Sequence, residues 1–346
     1  MLSAAKHLCG GERQRPFADA QGDTAAGPRP LTCALSLALV ALLTAGCRSE
    51  SAKAPADGIP SYVRAIIGGQ GNEPGLFYQP RKCTIGHDGD LYVVDSTARI
   101  QRFHPDGTFV LEWLMPEYQK GKPEGLSVDR DGNIVIADTH YSRMMRYSPE
   151  GKRLAVWGSY GTGPGQFIYP MGVDVDRNGC IYVCEYGEQD RVQVFSPEGR
   201  FLRAWGSHGG GPGGFRRASG LALDSQGNVY VADACNHRIQ CFAPDGKLLR
   251  AWGRPGVGPG ELKYPYDVAV ASEGDQEFAY VVEYGNHRVQ KFTLNGQSVG
   301  LWGPRPGDRP GELNGPWGIA VDGHGLMYVA DTGNHRVQVW DSRAGP

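Results

Sequence analysis

The chain has 346 residues, of which 51 are Gly and 24 Pro, so about one residue in five has an unusual backbone. That excludes a helical bundle, and 40% apolar with 10% aromatic residues supply more burial than a disordered chain carries, so many short strands joined by tight turns fit best. The formal net charge is −2, and beyond residue 47 there are 31 basic against 34 acidic side chains, which excludes the basic footprint of nucleic-acid binding.

Met1 to Pro30 has no periodicity and reads as lying upstream of the true start. Leu31 to Leu43 (LTCALSLALVALL) is thirteen residues without a charge, too short to span ~30 Å of hydrocarbon as a helix and of the right length for the apolar region of an export signal. Ala45-Gly46-Cys47 then resembles a bacterial lipobox, with Thr44 where leucine is commonest. The resemblance implies lipidation at Cys47 and a membrane-anchored protein facing the periplasm or cell exterior; signal cleavage without lipid is the alternative. The expected organisation is a signal segment over 1–47, a flexible tether over 48–60 (RSESAKAPADGIP from Arg48) and one repeat domain over 61–346.

From residue 61 a unit repeats: a strand opened by Pro or its equivalent, a Gly-Asn type turn, Tyr-Val-x-Asp/Glu, a short loop, Arg-Val-Gln-x-Phe, Pro-Asp/Glu-Gly, and Trp-Gly with a glycine-rich link. The acid closing the second strand recurs at Asp95, Asp138, Glu185, Asp233, Glu283 and Asp331, spaced 43, 47, 48, 50 and 48 residues apart. Arg99, Arg143, Arg191, Arg238, Arg288 and Arg336 follow these acids. β-Branched and aromatic runs such as Val229-Tyr230-Val231 read as strands, and Gln226-Gly227-Asn228 and Pro244-Asp245-Gly246 as the turns between them. Each unit therefore holds four antiparallel strands, one blade of a propeller. The sixth unit stops at Trp340, after its third strand. Val63 to Gly68 matches the fourth strand of another unit at a constant offset of 185 residues. The expected fold is thus an all-β, six-bladed β-propeller whose ring closes when the N-terminal strand completes the last blade.

Asp331 to Gln338 (DTGNHRVQ), Tyr284 to Gln290 and Asn236 to Gln240 resemble the core of the NHL repeat, and the resemblance covers about 61–341. It implies a six-bladed propeller and says less about activity. Similar blades serve in RNA- and protein-binding modules of animal proteins, in a zinc-dependent peptide-amidating lyase and in many bacterial exported proteins.

A feature present in every blade reads as architecture, because an active site needs one constellation and not six. On that ground the acid–arginine pairs, the glycine-rich links, the Trp-Gly tryptophans (Trp157, Trp205, Trp252, Trp302) and the loop histidines His237, His287 and His335 are scaffold. Repeat symmetry would also spread those histidines around the ring, too far apart to share one ion. Cys83, Cys180, Cys184, Cys235 and Cys241 show no zinc spacing and read as small buried residues. Positions that break the repeat are more informative. The residue after the strand-opening proline, or its equivalent, is Arg81, Glu124, Met171, Ser219, Tyr266 and Trp317 in blade order, six different side chains at the rim of the central channel. They suit an amphipathic ligand or peptide, so the expected function is non-catalytic binding of a protein, peptide or envelope component by a monomer that needs no cofactor, no metal and no nucleic acid. The alternative is a metal-dependent (Zn or Ca) lyase or hydrolase resembling amidating-lyase or lactonase-type propellers. Its demand for ligands at the mouth would rest on Glu124, Asp174 and Asp267, with no rim histidine available.

Overall fold

The computed structural model describes residues 58–303 and 305–345; the signal segment and the lipobox at Cys47 lie outside them. Six four-stranded antiparallel sheets form the blades, and apart from three single-turn 3₁₀ segments the described residues hold no helix. The first five blades run Pro80–Leu114, Gly125–Trp157, Tyr169–Trp205, Ala218–Trp252 and Pro265–Trp302, each with its four strands in chain order. The sixth takes Ile319–Val321, Leu326–Asp331 and Arg336–Asp341 from the C-terminal end and Val63–Gly68 from the N-terminal end. Val63 pairs with Trp340 and Gly68 with Arg336, so the strand predicted to close the ring does so.

Blades pack face to face through alternating apolar residues, and the second strands of blades 1, 2 and 4, Leu91–Asp95, Ile134–Asp138 and Val229–Asp233, are buried along their whole length. The tryptophan ending one blade's fourth strand lies against the turn glycine of the next blade. A Cβ on Gly199 would stand 2.9 Å from Trp157, on Gly246 2.8 Å from Trp205 and on Gly296 2.7 Å from Trp252. These glycines also sit at φ +82, +92 and +90, so the turn requires Gly for both backbone and space. Ile67 of the N-terminal strand takes the tryptophan's place against Gly107 and completes the cycle.

The repeated polar motif is an internal staple. In all six blades the acid and arginine pair, at 3.0 Å (Asp95–Arg99), 2.8 Å (Asp138–Arg143), 2.6 Å (Glu185–Arg191), 2.8 Å (Asp233–Arg238), 2.5 Å (Glu283–Arg288) and 2.7 Å (Asp331–Arg336). Arg191 also donates to the carbonyls of Thr162, Gly163 and Gln166 in the preceding glycine-rich link. The motif glutamine does the same: Gln193 accepts from the Gly165 amide and donates to the Gln166 carbonyl. Blade 2 has Met145 in place of this glutamine, and the link before it, Met115 to Pro123, lacks the Gly-Pro-Gly type sequence. The glutamine and the Gly-Pro-Gly link are thus absent together, while Arg143 keeps Asp138 and reaches its own link through Glu117 at 2.7 Å. The links are connectors and not phosphate cradles.

Candidate functional site

The first strand of each blade lines the channel, and its start shares one face of the ring with the loop after the second strand. Strands opening at Pro80, Tyr169, Ala218 and Pro265 carry a β-bulge near their start. Arg81, Met171, Ser219 and Tyr266 sit in these bulges, which turn residues out of the alternating register. The Glu124 and Trp317 amides instead bond to Ala137 and Ala330 of the neighbouring second strands.

The six positions have different fates. Arg81, Glu124 and Trp317 are partly exposed at the mouth. Tyr266 is buried beneath them. Met171 turns into the apolar core with Cys184 and Phe215, and the Ser219 hydroxyl donates to the carbonyls of Ala232 and Pro265 within the wall. Equivalence in the repeat therefore does not mean equivalence of direction.

Around the mouth runs a connected band of rings and guanidinium groups. Tyr169 stacks on Tyr186 at 5.0 Å, and Arg217 covers the Tyr186 ring at 4.6 Å and the Tyr266 ring at 5.4 Å. Tyr266 stacks on Tyr284 at 4.8 Å and meets Trp317 edge-on at 4.5 Å, and Arg81 lies 4.1 Å over Trp317. Each such contact contributes about 0.5–2 kcal/mol. The Arg81 Nε also donates to Ser96 Oγ at 3.2 Å. Glu124 faces the same space from blade 2 and acts electrostatically on Tyr186, Arg217 and Tyr266. Burial pushes the Tyr186 hydroxyl up to about 12 and the Tyr266 hydroxyl upward as well, so both stay protonated and neutral.

Four members of the band, Tyr169, Tyr186, Arg217 and Tyr284, are outside the six rim positions read from sequence. Tyr186 and Tyr284 follow the closing acid, where other blades have Ser96, Thr139, Ala234 and Thr332. Arg217 precedes Ala218, the one strand start among the six positions without proline. These positions too depart from the repeat, and that departure is the signal they carry in the sequence.

Below the mouth the channel is shut by a second departure from the repeat. Four blades place Gly125, Gly172, Gly220 and Gly318 where the inner strands converge, and a Cβ on Gly125 would stand 1.8 Å from the Met171 carbonyl oxygen. The other two blades place Lys82 and Asp267 there, and these pair across the channel, both buried. Asp267 Oδ2 also accepts from the Ile319 amide at 2.9 Å, while Oδ1 has no partner. Burial raises its carboxyl, with Lys82 opposing. Beyond this plug a cavity of about 170 Å³ holds Thr84, Ser127 and Asp174 among apolar walls. Asp174 accepts from Ser127 Oγ and from the Val175 and Leu223 amides.

Glu124, Asp174 and Asp267 thus lie at the mouth, beyond the plug and within it, and do not converge. Among the described residues no three His, Cys, Asp or Glu side chains come together as a ligand set. The loop histidines are inter-blade staples: Nδ1 of His237, His287 and His335 accepts from the amides of Tyr264, Gly315 and Gln79 in the following blade. Burial lowers the pKa of His237 and His287, which favours this neutral acceptor. Cys83, Cys180, Cys184 and Cys241 are free thiols, and burial pushes Cys83 and Cys184 up to about 12, far from thiolate chemistry.

A second cavity, about 480 Å³, lies on the opposite face between blades 3, 4 and 5. Its acids are committed locally. Asp176 accepts from the Asn178 and Cys180 amides, Asp224 from those of Gln226 and Asn228, and Glu277 from Ser225. The mouth is the stronger site.

The NHL repeat family model matches residues 215–242 and 313–340. An 84-residue segment, 24% of the chain, is 32% identical to the protein brain tumor of Drosophila melanogaster, and the chain spans only 8% of that relative's length. Among solved structures, an auxiliary nutrient binding protein from Bacteroides ovatus is similar with a TM-score of 0.62 and 17% identity, over 80% of this chain and 76% of that one. Virginiamycin B lyase from Staphylococcus aureus gives 0.56 and 16%, over 76% and 94%. A gluconolactonase from Xanthomonas campestris gives 0.58 and 14%, over 80% and 98%. At these identities the likeness is one of fold.

Proposed function

From a six-bladed β-propeller carrying NHL repeats, we propose a binding protein that takes a peptide, protein or envelope component at the channel mouth, without catalysis. The observation that carries this reading is the band joining Tyr169, Tyr186, Arg217, Tyr266, Trp317 and Arg81. It gathers cations and aromatic faces on one rim of an otherwise repetitive ring, the mixture that recognises amphipathic ligands. Under this proposal the chain is exported and held at the membrane by lipid on Cys47, acting as a monomer.

Immobilised protein should capture a ligand from the cell envelope, and the triple variant Arg81→Ala, Glu124→Ala, Trp317→Ala should lose it while keeping the wild-type circular dichroism spectrum. Undiminished capture by the folded triple variant would remove the mouth as the site. Cys47→Ala should move the protein from the membrane fraction to the soluble one.

The competing reading, a metal-dependent lyase or lactonase, draws support from its fold neighbours alone. Stoichiometric zinc or calcium in the purified protein, with ligand turnover that chelation abolishes, would establish it over non-catalytic binding.

A further inference from the structure

Arg217 is the most unusual charged group in the molecule. It is only 7% exposed, its Nε has no hydrogen-bond partner, and no carboxylate of the described residues forms an ion pair with it. An unpaired buried cation is costly, so folds seldom keep one without use. The surrounding tyrosines do not neutralise it, because their hydroxyls remain protonated.

Its position is nevertheless built. The backbone is left-handed at φ 62, uncommon for a side chain other than Gly, Asn or Asp. Two bonds pin it there: its amide donates to Asp190 Oδ1 at 3.0 Å, and its carbonyl accepts from the Ala234 amide at 3.1 Å. Asp190 is itself buried and held by His208. Tyr186 and Tyr266 cover the guanidinium with their rings. The Tyr186 hydroxyl accepts one hydrogen bond from the fork; stacking otherwise occupies the faces of the cation and leaves the rest of its donor edge, where planar acceptors bind.

Resting on the mouth as the binding site, we propose that Arg217 seats a carboxylate of a peptide ligand, with the ligand's apolar part against the partly exposed Trp317. A planar monoanion fits this fork, and the negative charge of Glu124 across the same space disfavours a dianionic phosphate. The carboxylate belongs to a chain terminus or to an Asp or Glu side chain, two sources with one chemistry.

The test uses purified full-length protein and three probes in saturation-transfer NMR: N-acetylphenylalanine (terminal carboxylate), N-acetyl-Phe-Glu-amide (side-chain carboxylate) and N-acetylphenylalaninamide (none). At least one acid should bind tenfold or more tightly than the amide, and the better acid identifies the source. Arg217→Met should lose at least tenfold of that affinity and Arg217→Lys should retain part of it. The melting temperature of Arg217→Met should be unchanged or higher, because the change removes an uncompensated buried charge; a lower one would make Arg217 structural. Equal binding of acid and amide, full affinity in Arg217→Met, or no binding of either acid would overturn the carboxylate seat. An envelope ligand captured equally by wild type and Arg217→Met but lost in Trp317→Ala would leave the binding reading standing while removing this inference. Failure of both capture and probe binding would remove both.

Discussion

Arg191 and Arg217 stand in neighbouring blades with equal burial, 8% and 7% exposed, yet they differ in what surrounds them. Arg191 has Glu185 at 2.6 Å and three carbonyls of the preceding link, so every part of its fork is used inside the protein. Arg217 has ring faces and an unpartnered Nε. A buried cation that the fold satisfies is scaffold, and one that the fold positions but leaves unsatisfied is a candidate for a ligand. The same contrast separates the molecule into two regions, a repeated polar framework that closes on itself and a mouth that does not.

The largest expected effect comes from breaking the satisfied partner. Arg191→Met strands the buried Glu185 and three link carbonyls and should cost about 3–5 kcal/mol in urea unfolding, the range for removing half of a buried pair. An effect near that of Arg217→Met would abolish the distinction. Lys82 sharpens it from another direction, because this residue breaks the repeat but is satisfied. Lys82→Met leaves Asp267 buried and uncompensated and should cost about 3 kcal/mol, and adding Asp267→Gly, the repeat's own residue, should recover at least half. If Lys82→Met were neutral, burial and pairing would not suffice to mark scaffold.

The histidine staples give a smaller, pH-dependent effect. His237 and His287 have pKa values lowered by burial, so unfolding takes up protons below the ordinary value of ~6.5 and their contribution is lost as pH falls through the lowered values. The melting temperature should therefore fall between pH 7 and pH 5, and His237→Asn with His287→Asn should flatten that slope by removing the titrating groups. An unchanged slope would mean that the staples do not titrate on unfolding. Least of all, Trp317→Ala at the partly exposed mouth should cost about 1–2 kcal/mol, from lost ring contacts alone, while ligand capture disappears. A cost above 4 kcal/mol would place Trp317 in the framework.

The framework was legible because each of its elements recurs: six acids, six arginines and the turn glycines announce their equivalence, and the offset of 185 residues located the closing strand. The site was legible only in part. Arg81, Glu124 and Trp317 were readable as departures from the repeat, but Met171, at the same repeat position, turns into the core. Arg217, Tyr186 and Tyr284 occupy other repeat positions, Tyr186 and Tyr284 sharing the one after the closing acid, and nothing in the sequence joins them to Tyr266 until the ring brings blades 3, 4 and 5 to one rim.

The amino-acid sequence by itself determined the strand period, the number of blades, the acid–arginine staples and closure by both ends, because each follows from local patterning repeated at a fixed interval. Only the tertiary structure decided that Lys82 and Asp267, 185 residues apart, shut the channel, and that Arg217 is buried with its Nε unpartnered and no carboxylate of the described residues in contact. Those depend on which side chains meet across the axis of the ring, and burial and pairing are properties of that meeting, which no single blade contains.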